Sequence, residues 1–260
     1  MNVNRVLALL YRDFLTLSRL KWRLAETFYF PITAVLIWGF FSVFMKNFSI
    51  EAGLIVLVMN IYWNFAYSAQ STTNMSMLED VWSGSLKQLF LSGITNNEFV
   101  VARLIFSAIV SVVLVVVMFV ISFYAFHLPI LTEHWTATII LTTLTLFSSL
   151  ALSVLVAAFI FGTSREYSFL AWTVLQVFIL LSAPFYTVDT LPAPLQYVSQ
   201  AMPFTAIFQA ARELITTDTL NQGLVLKGLL ISSLYFALSF PVYYFAFNMA
   251  RKNGNLVRLS

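Results

Sequence analysis

Few residues in this chain have the type and spacing that chemistry requires. His127, Glu133 and His134 place three potential metal ligands within eight residues. No histidine pair has the i, i+4 spacing of a helical zinc site, and Pro129 breaks the segment, so a solvated loop is the better reading and no metal is assigned. Gly223 and Gly228 have the first spacing of the phosphate-binding pattern G-x-x-x-x-G-K-[ST], but Leu229 and Leu230 stand where the lysine and hydroxyl belong. The chain is therefore not expected to hydrolyse ATP itself. Both histidines fall in one short segment, so no Ser-His-Asp arrangement can be assembled. There is no cysteine, which removes thiolate catalysis, disulfides and Cys-type metal sites. No catalytic residue, metal or cofactor is assigned to this chain.

The polar residues that remain are arranged in stripes. Asn60, Asn64, Tyr67, Ser71 and Asn74 recur at intervals of 4, 3, 4 and 3, which puts them on one helical face. The stripe is amide-rich and bulky, and both a packing role and a polar pathway fit it. Thr138, Thr142, Thr145, Ser149 and Ser153 repeat in the same way, and small hydroxyl residues at that spacing favour helix packing.

The elements that hold these stripes are apolar. Of the residues, 60% are hydrophobic and 10% charged, and the windows 27–45, 52–78, 104–132, 134–164, 167–188 and 228–250 contain no Asp, Glu, Lys or Arg. A hydrocarbon core of ~30 Å takes roughly 20 residues of helix, so the pattern predicts six membrane spans, at about 24–45, 52–74, 104–126, 136–161, 168–187 and 228–250. The spans and their connections use up the chain, which predicts one membrane domain over 1–260. Glu26 and Glu51 lie near span ends, and the deep positions hold no ionisable group, which disfavours a proton- or sodium-coupled carrier. Eleven of the fourteen Lys and Arg fall on the side of the N-terminus; only Lys46, Arg212 and Lys227 fall opposite. By the positive-inside rule both termini are expected in the cytoplasm, in a multi-pass protein of the cell (inner) membrane. No nucleic-acid partner is needed to explain the charge.

Residues 4–23 segregate Arg5, Arg12, Thr16, Arg19 and Arg23 from Val6, Leu7, Leu10, Phe14 and Leu17, which predicts an amphipathic helix on the membrane surface, without the apolar core and cleavage site of a signal peptide. Pro31 is expected to bend the first span. The longest cytoplasmic connection is 75–103, and Gly162 to Tyr167 reads as a tight inner turn. Residues 190–211 are free of charge but interrupted by Pro192, Pro194 and Pro203. They are read as two short helices, around 193–201 and 204–215, dipping into the outer leaflet within a cap over 188–226.

Two segments resemble a known family. Glu79-Asp80-Val81-Trp82-Ser83-Gly84-Ser85-Leu86-Lys87-Gln88-Leu89-Phe90-Leu91-Ser92-Gly93-Ile94 is similar to the cytoplasmic loop of the type-2 ABC exporter permeases. There an acidic residue ends the second span, and Gly-[Thr/Ser]-Leu-x-x-Leu leads into a short coupling helix. Gly84 and Ser85 match the Gly-hydroxyl pair, and Leu86 and Leu89 the apolar contacts; Lys87 stands where the family often has Glu, and Gly93 where it often has Pro. Ser182-Ala183-Pro184-Phe185-Tyr186, Leu191-Pro192, Met202-Pro203-Phe204 and Arg212 resemble the family's outer cap. The amphipathic N-terminal helix resembles its connecting helix.

The resemblance implies an all-α polytopic permease: an interfacial helix, six spans, and a re-entrant hairpin between the fifth and sixth. It implies two copies of a separate ABC ATPase subunit, carrying ATP and magnesium, beneath a permease pair, most simply a homodimer in membrane lipid. Coupling would fall to Glu79, Gly84, Ser85, Leu86, Lys87, Leu89, Phe90 and Leu91. Asn60, Asn64, Tyr67, Ser71 and Gln176 would line the path of an amphiphile (a drug, a lipid or a lipid-linked glycan). Phe185, Pro192, Pro203 and Arg212 would form the outer gate. An ATP-independent carrier or channel is the main alternative, and a membrane enzyme or structural subunit a lesser one.

Overall fold

The computed structural model describes residues 1–128, 133–162 and 169–252, and every element among them is helical. Pro129 lies outside the described residues, as do Arg165 and Glu166 of the expected inner turn and the chain after Lys252.

Helix α1 (Val3–Arg19) starts at Asn2, whose side chain accepts from the Asn4 amide at 3.0 Å, and it stops at Leu20, which is extended. It is shorter than the expected 4–23. Lys21–Leu24 (α2) already belongs to the first long helix, which runs through a π turn at Ala25–Tyr29 into α3 (Phe30–Lys46). The π turn sits just before Pro31. Proline has no N–H to return to the preceding turn and its ring crowds that carbonyl, so the backbone widens locally. Nor does α1 turn its whole apolar side outward. Val6, Leu9 and Leu17 pack against Ala102, Phe106 and Val110, while Leu7, Tyr11 and Phe14 are exposed.

Helix α4 (Ile50–Trp82) is capped by Ser49 and has 33 residues, about 50 Å at 1.5 Å per residue. That exceeds the ~30 Å core, so α4 is longer than a crossing requires; its last turns carry Glu79 and Asp80. Most of 75–103 is thus helical: the end of α4, then α5 (Ser85–Leu91), then the start of α6 (Asn96–Phe126), which a Thr95/Glu98 capping box begins. Helix α7 (Trp135–Gly162) follows, then α8 (Leu170–Leu181), a 3₁₀ turn (Val188–Thr190), α9 (Ala193–Ala201), α10 (Thr205–Thr217) and α11 (Gln222–Lys252).

Among the described residues, five helices have the length and composition to cross a membrane: Lys21–Lys46, α4, α6, α7 and α11. The predicted fifth span is represented by α8, whose 12 residues reach about 18 Å. The two short helices expected after it are present as α9 and α10.

Helix α4 is the axis of the bundle, packed by α3, α6, α7 and α8. The main apolar cluster joins Leu57, Ile61 and Phe65 of α4 to Leu114 and Met118 of α6, Leu141 and Leu152 of α7, and Phe204, Ile207 and Phe208 at the cap. Helix α7 runs along α11, where the buried Ser148 and Ser232 hydroxyls meet at 2.6 Å. Thr145 and Ser149 are buried and return their hydroxyls to their own helix at 2.7 and 2.8 Å, in keeping with a packing stripe. Gly39 lies against the Phe126 ring so closely that a Cβ would stand 2.1 Å from it, which brings α3 onto α6.

Candidate functional site

The end of α4 is tied to its neighbours by charge. Arg103 of α6 is 0% exposed, and its guanidinium bridges the Asp13 carboxylate of α1 and the Asp80 carboxylate of α4. Arg12 reaches Asp80 at 2.8 Å and Asp13 at 3.3 Å. One turn away, Arg23 pairs with Glu79 at 2.8 Å. At the start of α6 the Glu98 carboxylate accepts from the Asn2 and Thr95 amides at 2.6 and 2.9 Å, with Arg5 at 3.7 Å. Buried charges persist only when paired and hydrogen-bonded, so this network fixes α1, α2, α4 and α6 in one register.

Helix α5 hangs from that junction. The chain leaves α4 through Ser83 and turns at Gly84, whose φ of 70° lies in the left-handed region that favours glycine. Ser85 then donates its hydroxyl to Asp80 at 2.8 Å, so the first residue of α5 rests on the same carboxylate that Arg103 and Arg12 hold. Leu86 is 2% exposed and packs with Met77, Phe99 and Val100; Leu89 and Phe90 are half-buried beside it. Lys87, Gln88 and Leu91 face outward, Leu91 with 77% of its surface free. Glu79 and 84–91 therefore form one structural unit. Within it Leu86, which the resemblance gives as one of the apolar contacts, is buried and anchors α5, because the apolar cleft between α4 and α6 takes it up. The outward positions are Lys87, Gln88 and Leu91.

The polar stripe of α4 divides in two. Asn60 is buried and accepts from the Asn64 amide at 3.1 Å. Asn74 accepts from Gln70 and donates to the Ser153 carbonyl at 2.8 Å, so it serves packing against α7. Asn64, Tyr67 and Ser71 are half-buried on the open side, with Tyr67 and Ser71 lining a cleft toward the π turn. Gln176 stands exposed on α8, one residue past the buried Leu175, and among the described residues it shares no hydrogen bond with the stripe.

At the other end, Arg212 gathers the segment before the cap. One Nη2 group donates to the carbonyls of Ala183, Pro184 and Tyr186 at 3.2, 3.0 and 2.9 Å. Ala183 has a φ of 53°, and the carbonyls exposed by that turn are those the guanidinium collects. Burial pulls the Arg212 guanidinium below its ordinary range. Phe185 stacks on Trp38 at 5.2 Å and leans on Trp63 at 5.4 Å, closing the space between α3 and α4. Pro192 caps α9 and Pro203 turns the chain into α10. The structure thus brings Phe185 and Arg212 into one cap. His134 contacts Asp218 at 2.6 Å rather than His127 or Glu133, and His127 ends α6 in a left-handed turn.

The Asp13–Arg103–Asp80 network is not among the residues singled out from the sequence. The signal was present: in α1 the buried positions Val6, Leu9, Asp13 and Leu17 recur at helical spacing, so an acid stands in the apolar stripe. An acid there calls for a buried cation on the facing helix.

No curated protein matches the chain. The family model described as ABC-2 family transporter protein matches residues 40–247, from the middle of α3 almost to the end of α11, leaving out α1, α2, the π turn and the first half of α3 with Trp38 and Gly39. A helical bundle with several membrane-crossing helices, and four-fifths of the sequence under that match, agree: this chain is a multi-pass membrane permease of the ABC-2 transporter family.

Proposed function

We propose that this permease is the membrane subunit of an ATP-driven exporter, with ATP hydrolysed on a separate ABC ATPase subunit that docks on α5. The observation that carries the proposal is the mounting of α5. A short helix is held at its base by Gly84, by the Ser85–Asp80 hydrogen bond and by the buried Leu86, while Lys87, Gln88 and Leu91 stay free. A push on those residues travels through Asp80 and Arg103 into α1, α4 and α6, because the network leaves these helices no independent motion. A transporter with neither a phosphate loop nor an ionisable relay deep in its spans takes its energy from a partner, and a rigid projection is what such a partner needs.

In this reading both termini and α5 face the cytoplasm, and α8 completes a sixth crossing. Helices α9 and α10 form a re-entrant cap at the outer face, gated by Phe185, Pro192, Pro203 and Arg212. Two copies of the permease, with two ATPase subunits, enclose the pathway, since one bundle of this size offers a face rather than a channel. The cargo is an amphiphile moving past Asn60, Asn64, Tyr67 and Ser71.

The test is a mild-detergent pull-down of the chain from its native membrane, with ATPase activity assayed on the eluate. The variant pairs Lys87→Glu with Leu91→Asp, both exposed, so that the fold survives. Co-purified ATPase activity that the variant loses supports the reading. Wild-type protein that brings down no ATPase rejects it in favour of an ATP-independent carrier.

A further inference from the structure

The π turn at Ala25–Tyr29 does more than absorb Pro31. It swings Glu26 and Thr27 over α4, where they meet Tyr67, Ser68, Ser71 and Thr72 across a narrow cleft. Among the described residues Glu26 forms no ion pair or hydrogen bond. The nearest cation in the lining, Arg23, is committed to Glu79 at 2.8 Å and forms a neutral pair with it. The cleft therefore carries one uncompensated negative charge. Ser68 is 3% exposed, lines the cleft, and its hydroxyl has no hydrogen-bond partner. A buried hydroxyl without a partner costs stability, and Ser68 lines the same cleft as the lone carboxylate.

We propose that this cleft is the headgroup site of the permease, and that its cargo is a cationic amphiphile with a compact ammonium head; the proposal rests on the reading of Tyr67 and Ser71 as part of the substrate path. Charge selects the sign: a carboxylate with no counter-ion attracts a cation and repels phosphates, sulfates and carboxylates. Size selects the group. The cleft holds about 20 Å³, room for one water-sized group. An ammonium has that size, whereas a sugar ring does not. Hydroxyls of Ser68, Ser71 and Tyr67 supply acceptors for ammonium N–H groups, and Glu26 supplies the charge-assisted bond. The apolar part follows from the neighbours. One turn up α4 from Tyr67 stands Trp63, against Phe185 and Trp38, an aromatic wall for a flat or acyl tail.

Binding in the absence of nucleotide tests this without the ATPase, so failure here and failure of the exporter reading are separate results. The purified full chain in zwitterionic-lipid nanodiscs is titrated with monodansylcadaverine, a primary amine on an aromatic fluorophore, and with its neutral N-acetyl derivative, followed by fluorescence anisotropy. Wild type is expected to bind the amine at least about tenfold more tightly than the acetylated probe, as for one charge-assisted hydrogen bond. Glu26→Gln erases that preference. Glu26→Asp retains part of it, and Glu51→Gln, at the far end of α4, leaves it intact. Equal binding of the two probes by wild type, or an undiminished preference in a folded Glu26→Gln protein, overturns the proposal. So does a wild-type preference for dansyl probes bearing a carboxylate.

Discussion

Replacing Arg103 by Met isolates the charged junction from the rest of the fold. Methionine fills most of the volume but leaves Asp13 and Asp80, both nearly buried, without the guanidinium that bridges them. Asp80 keeps Arg12 at 2.8 Å and the Ser85 hydroxyl at 2.8 Å. Asp13 keeps only Arg12, at 3.3 Å and from a partly solvated side chain. Breaking a buried pair by removing one partner costs about 3–5 kcal/mol, and the residual Arg12 contacts place this case near ~3 kcal/mol. Arg103→Lys keeps the charge but not the fork that spans two carboxylates, and should cost about half as much. Adding Asp13→Asn to Arg103→Met removes one stranded charge, so the double variant is expected to recover about 1–2 kcal/mol relative to additivity. Chemical unfolding in detergent micelles, followed by tryptophan fluorescence at a fixed lipid-to-detergent ratio, gives all three values. A cost below about 1 kcal/mol for Arg103→Met, or strict additivity with Asp13→Asn, would refute the view that Arg103 binds α1, α4 and α6 together.

Other perturbations follow from single contacts. Gly84→Ala forces a side chain into a left-handed turn and should cost roughly 1–2 kcal/mol, with ATPase co-purification falling alongside, read by the pull-down. Arg212→Met strands three carbonyls before the cap; a loss of about 2–3 kcal/mol is expected, and proteolysis should quicken within 183–192. Gly39→Ala places a methyl inside the Phe126 ring position and should cost about 1–3 kcal/mol, with Phe126→Leu restoring part of it in the double variant. Because the chain has no cysteine, Ser92→Cys and Thr219→Cys give clean topology probes. An impermeant maleimide on intact cells should label the second and leave the first until the membrane is permeabilised.

The sequence made the apolar architecture legible because lipid imposes a simple rule. Five of the six charge-free windows mark long helices, while the window 167–188 holds only the 12 residues of α8, and the prolines at 192, 194 and 203 split the segment after α8 into two short helices. Helix ends were harder to read. Glu79 and Asp80 resemble the close of a span, yet α4 continues through them to Trp82, because Arg23, Arg12 and Arg103 neutralise them. Long-range pairs such as Asp13 with Arg103 leave only a faint mark in one dimension: one acid out of place in an apolar stripe. The two faces of α5 were legible as a pattern but not as a direction. Leu86 and Leu89 share a spacing, and only the packing of α4 on α6 decides that they point inward and leave Leu91 outside. The cleft at Glu26 required the π turn, which shifts residues 26 and 27 off the register a regular helix would give them.

The claim that α5 is the contact for an ATPase is tested most directly by site-specific crosslinking. Leu91→Cys, carrying a short photo-crosslinker, would be compared with Val116→Cys, an exposed apolar position of α6 within the membrane span. After illumination of native membranes, residue 91 is expected to form an adduct with a nucleotide-binding ABC subunit, identified by mass spectrometry, and residue 116 none. Absence of any ATPase adduct from residue 91, while the chain remains folded and in the membrane, would contradict it.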